Sequence, residues 1–277
     1  MVFNCLPRRT LSVSVTGEEC ALHCNHCNGH YLRHMVPVTA ARRMLESGEY
    51  RSILLSGGSD PDGRLPLMEH LAFIVWVHEQ GIRINAHVGL QSDEDIHVLY
   101  PYFDKVSLDY VWDDGTIHDV YHLQRSGADY LHAAWDWTGA FSAAGGSEAL
   151  TSAKQRVNLH LTIGLKGGVV AGEYAAIDSL IAFQPASLVF LVLIPTEGTV
   201  YGSVPVVPIH DVESVFAYAR LKLPLTDLVL GCMHPKVAGY GEQLAHMAGR
   251  YQFRGVVGEQ SRADGAEQVE ECCVFYK

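Results

Sequence analysis

Three cysteines, Cys20, Cys24 and Cys27, fall within eight residues in the spacing C-x3-C-x2-C. Three thiolates this close can wrap one face of a compact soft-metal centre. A cubane iron–sulfur cluster normally takes four thiolates, so a set of three leaves one iron with an open coordination position where a small molecule can bind. Structural zinc is the other chemistry open to the triplet. His23, His26, His30 or His34 could supply a fourth ligand, although zinc ribbons favour paired C-x2-C knuckles.

Four further cysteines stand apart from the triplet: Cys5, Cys232, Cys272 and Cys273. The total of seven is odd, the N-terminus has no secretory hydrophobic region, and 277 residues suffice to build a core, so a disulfide framework is not expected. Clustered thiols in a reducing compartment point instead to metal or redox chemistry. The 48% hydrophobic and 18% charged composition excludes disorder, coiled coil and collagen-like fibre. A formal charge of −11 argues against a general nucleic-acid or anionic-membrane binder. The longest apolar runs, 187–195 and 71–77, are too short to span a bilayer. The expected location is the cytoplasm.

The elements that must position these residues alternate. Strand candidates fall at 10–15, 52–56, 84–88, 105–110, 158–165, 187–194, 227–230 and 255–258. Most are nearly continuous apolar runs bounded by Gly, Pro or Asp, as expected of strands buried on both faces of a parallel sheet. Helical stretches lie between them at 39–47, 67–80, 172–183, 211–221 and 241–250, and the region 116–156 is expected to hold two more helices. Six to eight such units predict an α/β fold, a (β/α) barrel, complete or partial and TIM-like. The barrel is expected over 1–260, with a cysteine-bearing C-terminal tail over 261–277 contributing to its active-site mouth. Chemistry in such barrels sits on the loops after the strands, where the triplet falls.

The C-x3-C-x2-C spacing resembles that of the radical S-adenosylmethionine (SAM) enzymes, with His26 in the slot before the third cysteine that is usually aromatic. That resemblance implies a [4Fe-4S] cluster on Cys20, Cys24 and Cys27. Its open iron is chelated by the amino and carboxylate groups of SAM, and an electron from the cluster cleaves the sulfonium to methionine and a 5′-deoxyadenosyl radical. Ser56-Gly57-Gly58-Ser59 is similar to the family's Gly-Gly-Glu-like turn for the methionine amine, with Ser59 where many members have an acid. Ile163-Gly164-Leu165, followed by Glu173, resembles the segment beside the adenine and the methionine carboxylate. Pro195, Gly198 and Thr199 resemble a turn that meets the adenine. Asp109, ending a strand candidate, could bond the ribose hydroxyls. Each segment has a plain structural alternative: a turn for the glycine pair, a helix start for Glu173, a cap for Asp109.

From Leu11 to Cys273 the chain resembles a biotin-synthase-like group of radical SAM proteins, through segments such as Ser14-Val-Thr-Gly17, Asn85-Ala-His-Val-Gly-Leu90, Gly231-Cys-Met233 and the terminal Cys272-Cys273. Some members of this group look like subunits of a two-part lipoyl synthase. The resemblance implies sulfur insertion into an unactivated C–H bond of a protein-bound octanoyl chain. It also implies an auxiliary [4Fe-4S] cluster as sulfur source, a second radical SAM subunit, an octanoylated lipoyl carrier and an electron donor as partners.

Cys232, Cys272, Cys273 and Cys5 would hold that second cluster, with Ser261 or His234 as substitutes. Two geometric objections apply. Adjacent residues in extended chain point to opposite sides, so Cys272 and Cys273 need a tight turn to act together. Cys5 precedes the first predicted strand, nominally at the opposite end of the barrel. Packed core thiols are the alternative for Cys232 and Cys5. His87 and His160 lie in apolar runs, where a satisfied core role is expected for His160. Tyr121-His122 and Trp135-Asp-Trp137 read as aromatic core or as a lid. A single-cluster radical enzyme without sulfur transfer, and a metal-binding scaffold without radical chemistry, are the alternative functions.

Overall fold

The structure is a computed structural model that describes residues 3–143, 146–258 and 266–276, with the backbone alone at 146–148. Ser261 lies outside the described residues. One sheet of eleven strands organises the chain: β1 (Phe3–Cys5), β2 (Thr10–Ser14), β3 (Val36–Pro37), β4 (Ser52–Ser56), β5 (Arg83–His87), β6 (Lys105–Asp109), β7 (Val157–Ile163), β8 (Ser187–Val192), β9 (Asp227–Leu230), β10 (Gly255–Val257) and β11 (Glu267–Val269). Their order is β11-β1-β10-β9-β8-β7-β6-β5-β4-β2-β3, and every pairing is parallel.

Parallel strands need crossovers, and nine helices among the described residues supply most of them: α1 (Val38–Leu45), α2 (Leu71–Glu79), α3 (Asp93–Leu99), α4 (Asp114–Val120), α5 (Gly127–Ser142), α6 (Gly146–Arg156), α7 (Glu173–Ser179), α8 (Ile209–Lys222) and α9 (Tyr240–Arg250). The sheet curls into a half-barrel with these helices packed around it. Strand sequences follow from burial: Ser187-Leu-Val-Phe-Leu-Val192 is buried at every position but Leu191.

The eight predicted strands are present, most with ends shifted by a residue or two. The region 116–156 holds parts of three helices rather than two. Asp113 starts α4 by accepting from Thr116 N at 2.7 Å, and a capping box between Ser126 and Asp129 starts α5. Strands β1, β3 and β11 and helix α3 were not expected. The three strands are only two or three residues long and exist because a distant strand pairs with them.

The tail also differs from expectation. Residues 270–276 do not cover the mouth; they plug the base of the curl. Cys272 N donates to Thr10 Oγ1 at 2.8 Å, and Arg9 N donates to Glu270 O at 2.8 Å. Glu271 is ion-paired with Arg83, whose guanidinium also lies 4.4 Å over the Phe275 ring. Tyr276 stacks on Phe3 at 4.5 Å and donates to Asp227 Oδ2 at 3.3 Å. Thr10, Arg83 and Asp227 are the first residues of their strands, so these contacts mark the base. They tie the β11 side of the open sheet to β2 and β5 there.

Candidate active site

The cysteine loop leaves the top of β2 and is held by its surroundings rather than by regular structure. Within it, Asn28 N donates to Cys24 O at 2.9 Å and His30 N to Cys27 O at 2.7 Å. His23, Asn28 and Gly29 all take positive φ, which winds the chain back on itself. The end of α4 clamps the loop: Asn25 Nδ2 donates to Asp119 O at 2.7 Å, and the His122 ring lies 2.9 Å from Leu22 O and 3.2 Å from Asn25 Oδ1. Tyr121-His122 thus supports this loop, a role invisible while its partner lay a hundred residues away.

Cys24, His26 and Cys27 bring their ligand atoms within 4.8 Å of one another. Cys20 stands outside that group, yet its charge reaches Cys24. Cys24 donates to Cys27, which with His26 beside it brings the Cys27 thiol down to about 4; the same bond and burial push Cys24 up. Cys27 is therefore ready to act as a thiolate, the form that binds metal. His26 stands edge-on to Tyr121 at 5.4 Å, and its buried Nδ1 has no partner among the described residues.

The turn after β4 presses against this loop. Gly58 N donates to Thr16 Oγ1 at 2.7 Å, Thr16 Oγ1 donates to Glu19 O at 2.8 Å, and Ala21 N donates to Ser59 O at 2.9 Å. Thr16 was not singled out as a site residue, although it lies in the Ser14–Gly17 segment of the resemblance and carries a hydroxyl just past the first predicted strand. Ser56, Gly57 and Ser59 line a cavity of about 120 Å³ with His87, Asp109, Tyr121 and others. Burial lowers the pKa of both His87 and His160.

The remaining predicted segments stand at the same end. Ile163 closes β7, and Gly164 turns at φ 78° with Leu165 buried after it. Glu173 is buried and spends both oxygens on backbone: Oε1 accepts from Gly164 N at 2.6 Å, and Oε2 accepts from Ala171 N at 2.8 Å and Gly172 N at 3.0 Å. Burial nonetheless raises its pKa. Its visible work is to hold the 164–172 turn shut. After β8, Pro195 leads into a turn with Gly198 at φ 79°, where Thr199 Oγ1 donates to Thr196 O at 2.8 Å. That turn reaches the cysteine loop through Tyr31 Oη to Thr196 Oγ1 at 3.0 Å and Tyr201 N to Asn25 O at 3.0 Å.

The four other cysteines stand near enough for their charges to act on one another, although no three of them bring their sulfurs within 4.8 Å. Cys5 caps β1, whose register sets it beside Val257 and Val269; its thiol donates to Glu271 O at 2.8 Å. Glu271 stands at the base, so Cys5 lies on the side away from the mouth, as its place before β2 implied, but within a strand of its own. Cys273 opens a 3-10 turn, with Phe275 N donating to Cys272 O at 2.9 Å, so the adjacent thiols lie together and bond each other. Cys273 thereby brings Cys272 down to about 7, while Cys273 itself is pushed well up. Burial, then the charges of Cys272 and Cys232, raise Cys5; burial, then Cys272, raises Cys232. Cys232 is exposed, and it stands near enough to Cys272 and Cys273 for their charges to act on one another. His234 lies buried beside this group in sequence, with Nδ1 3.3 Å from Pro235 O.

No protein-family model matches the chain, and no curated protein matches it. Solved structures do. Methylornithine synthase (PylB) superposes with a TM-score of 0.60 at 14% identity, covering 97% of this chain and 75% of its own. HydG, a maturase of the [FeFe]-hydrogenase, gives 0.58 at 17% identity over 93% of this chain and 56% of its own. Streptococcus suis SuiB, solved bound to S-adenosylmethionine, gives 0.56 at 13% identity over 86% of this chain and 52% of its own. The chain thus spans little more than half of HydG and SuiB. At these identities the likeness is one of fold: a partial, TIM-like barrel shared with these structures.

Proposed function

We propose that this protein is a radical SAM enzyme that inserts sulfur into an unactivated C–H bond, as one half of a two-part lipoyl synthase acting on a protein-bound octanoyl chain. The observation that carries it is the pairing of a three-cysteine loop at the mouth with four further cysteines near enough for their charges to act on one another. The donor set fits: Cys20, Cys24 and Cys27 would hold a [4Fe-4S] cluster, and Cys5, Cys232, Cys272 and Cys273 a second. Bound there, the first cluster would supply the electron for reductive cleavage of SAM, and the second would supply sulfur.

The chain's own residues position and exclude. Ser56 to Ser59 would receive the methionine amine through backbone and hydroxyl oxygens. Ile163 to Leu165 and the Pro195–Thr199 turn would flank the adenosine, with Glu173 fixing the first of these segments. Tyr121 and Tyr130 wall the cavity beneath. Hydrogen-atom abstraction calls for no general base. The partners in this reading are a second radical SAM subunit, an octanoylated carrier and an electron donor.

Anaerobic reconstitution, reduction and incubation with SAM tests the first half: 5′-deoxyadenosine is expected, and its loss in the Cys20→Ala, Cys24→Ala, Cys27→Ala variant. Iron counting tests the second: about eight atoms per chain for two cubanes, falling to about four in Cys232→Ala. A count of about four that Cys232→Ala leaves unchanged would sink the sulfur-donor role and leave a single-cluster enzyme. An octanoyl-lysine peptide, given with and without the partner subunit, should gain sulfur mass.

A second reading rests on the closeness of Cys24, His26 and Cys27, which also suits a mononuclear metal scaffold. It predicts no 5′-deoxyadenosine under the same conditions.

A further inference from the structure

A second group of ligating side chains stands inside the curl, separate from every cysteine. His87 ends β5, Asp109 ends β6 and His160 lies within β7. Asp109 and His160 are register partners on neighbouring strands, and His87 pairs with Ser107, two residues before Asp109. Alternation along a strand puts Ser107 and Asp109 on the same face, so all three side chains meet on one side of the sheet. Their imidazole nitrogens and carboxylate oxygen lie within 4.8 Å of one another, and the two rings are 5.0 Å apart at 68°.

His160 makes this more than a polar cluster. It is 7% exposed, and both ring nitrogens are buried without a hydrogen-bond partner among the described residues. A neutral imidazole carries one donor and one acceptor, and leaving a buried polar group unpaired costs about 1–3 kcal/mol. A core histidine with no partner is an unfavourable choice for packing alone. The expectation that His160 is a satisfied core residue is therefore not met.

We propose that His87, Asp109 and His160 form a mononuclear site for a divalent transition cation. Two imidazoles and one carboxylate suit zinc, iron(II) or manganese(II), and three protein ligands leave coordination positions open. Donors around such an ion stand roughly 3–4 Å apart, given bonds of about 2.0–2.2 Å, so rotation of the side chains closes the site. His87 and Asp109 line the same 120 Å³ cavity as Ser56, Gly57 and Ser59. The open positions thus face the space beneath the cysteine loop, where an oxygen donor of a substrate can bind the ion. This assignment replaces the ribose contact expected of Asp109.

Zinc uptake tests the site without turnover, so its outcome is separate from that of the proposed reaction. Cluster-loaded protein is equilibrated anaerobically with Zn²⁺, gel-filtered and analysed for metal. About one zinc per chain is expected, bound through nitrogen and oxygen at about 2.0–2.2 Å in the zinc-edge absorption spectrum, with no sulfur scatterer. The Cys20→Ala, Cys24→Ala, Cys27→Ala variant should retain it, and His87→Gln and His160→Gln should lose it. Asp109→Asn, at the accessible side of the group, gives a third variant should either histidine variant fail to fold. Sulfur in the zinc shell, no uptake, or uptake unchanged in the His87 and Asp109 variants would overturn the proposal. So would weakened SAM binding in Asp109→Asn with zinc uptake intact, which returns Asp109 to the ribose.

Discussion

Gly58 meets Cys20 with no room between them: a β-carbon on Gly58 would lie 2.5 Å from Cys20 Cα and 2.6 Å from Cys20 Cβ. The strand-end turn after β4 and the cysteine loop after β2 are thus one packed unit, pinned by Thr16. Gly58→Ala should push the loop from its seat at a cost of about 1–3 kcal/mol. Iron loading at the triplet should fall with it. Gly139, inside α5, is the control. A β-carbon there meets nothing within 4 Å, and Gly139→Ala should stabilise by about 0.5–1 kcal/mol. Thermal melts and iron analysis of the two variants check both statements.

Arg83 holds the tail at the base through Glu271 and Phe275. Arg83→Ala should release residues 270–276 and scatter Cys272 and Cys273 from Cys5 and Cys232. Iron should drop from about eight atoms per chain toward about four, with 5′-deoxyadenosine still formed. Limited proteolysis should show a newly cut C-terminus. Full iron with an uncut tail would contradict this role for Arg83.

Glu173→Gln should leave an amide nitrogen facing backbone N–H donors at Gly164 or at Ala171 and Gly172. The loss is about 1–3 kcal/mol, the cost of an unpaired buried donor. Because the same turn carries Gly164 and Leu165, SAM affinity measured by equilibrium dialysis should weaken too. A lower melting point with unchanged affinity would remove this segment from the cofactor site.

Acid should loosen the α4–α5 region. Bonding to the Thr116 hydroxyl and N–H holds Asp113 below the usual carboxylate range, and the Ser126 N–H holds Asp129 there. A carboxylate with a lowered folded pKa adds stability above its unfolded value, about 4, and loses it as pH falls through the folded value. Urea unfolding should therefore show stability declining below about pH 4. The Asp113→Asn, Asp129→Asn variant, whose caps do not titrate, should decline less steeply.

The barrel class was legible because continuous apolar runs such as 187–192 name buried parallel strands by themselves. The cysteine triplet was legible because its spacing is local. Thr16, Tyr31 and His122 were not, since their partners Gly58, Thr196 and Asn25 lie 42, 165 and 97 residues away. Helix α3 begins with three acidic residues after Ser92, a start signal that only the Ser92 cap to Asp95 N makes plain.

By itself the sequence determined the alternation of strands and helices, the thiol chemistry and the strand-end position of the triplet. Hydrophobic patterning and motif spacing are properties of neighbouring residues. Tertiary structure alone decided that residues 3–5 form a strand and that the tail enters from the base. It also decided that seven cysteines divide into two groups. Those outcomes depend on pairings across as many as 264 positions, as between Phe3 and Glu267. Pairings at that range are fixed by sheet register and closure. The same register set His87, Asp109 and His160 together, three residues that no local pattern joins.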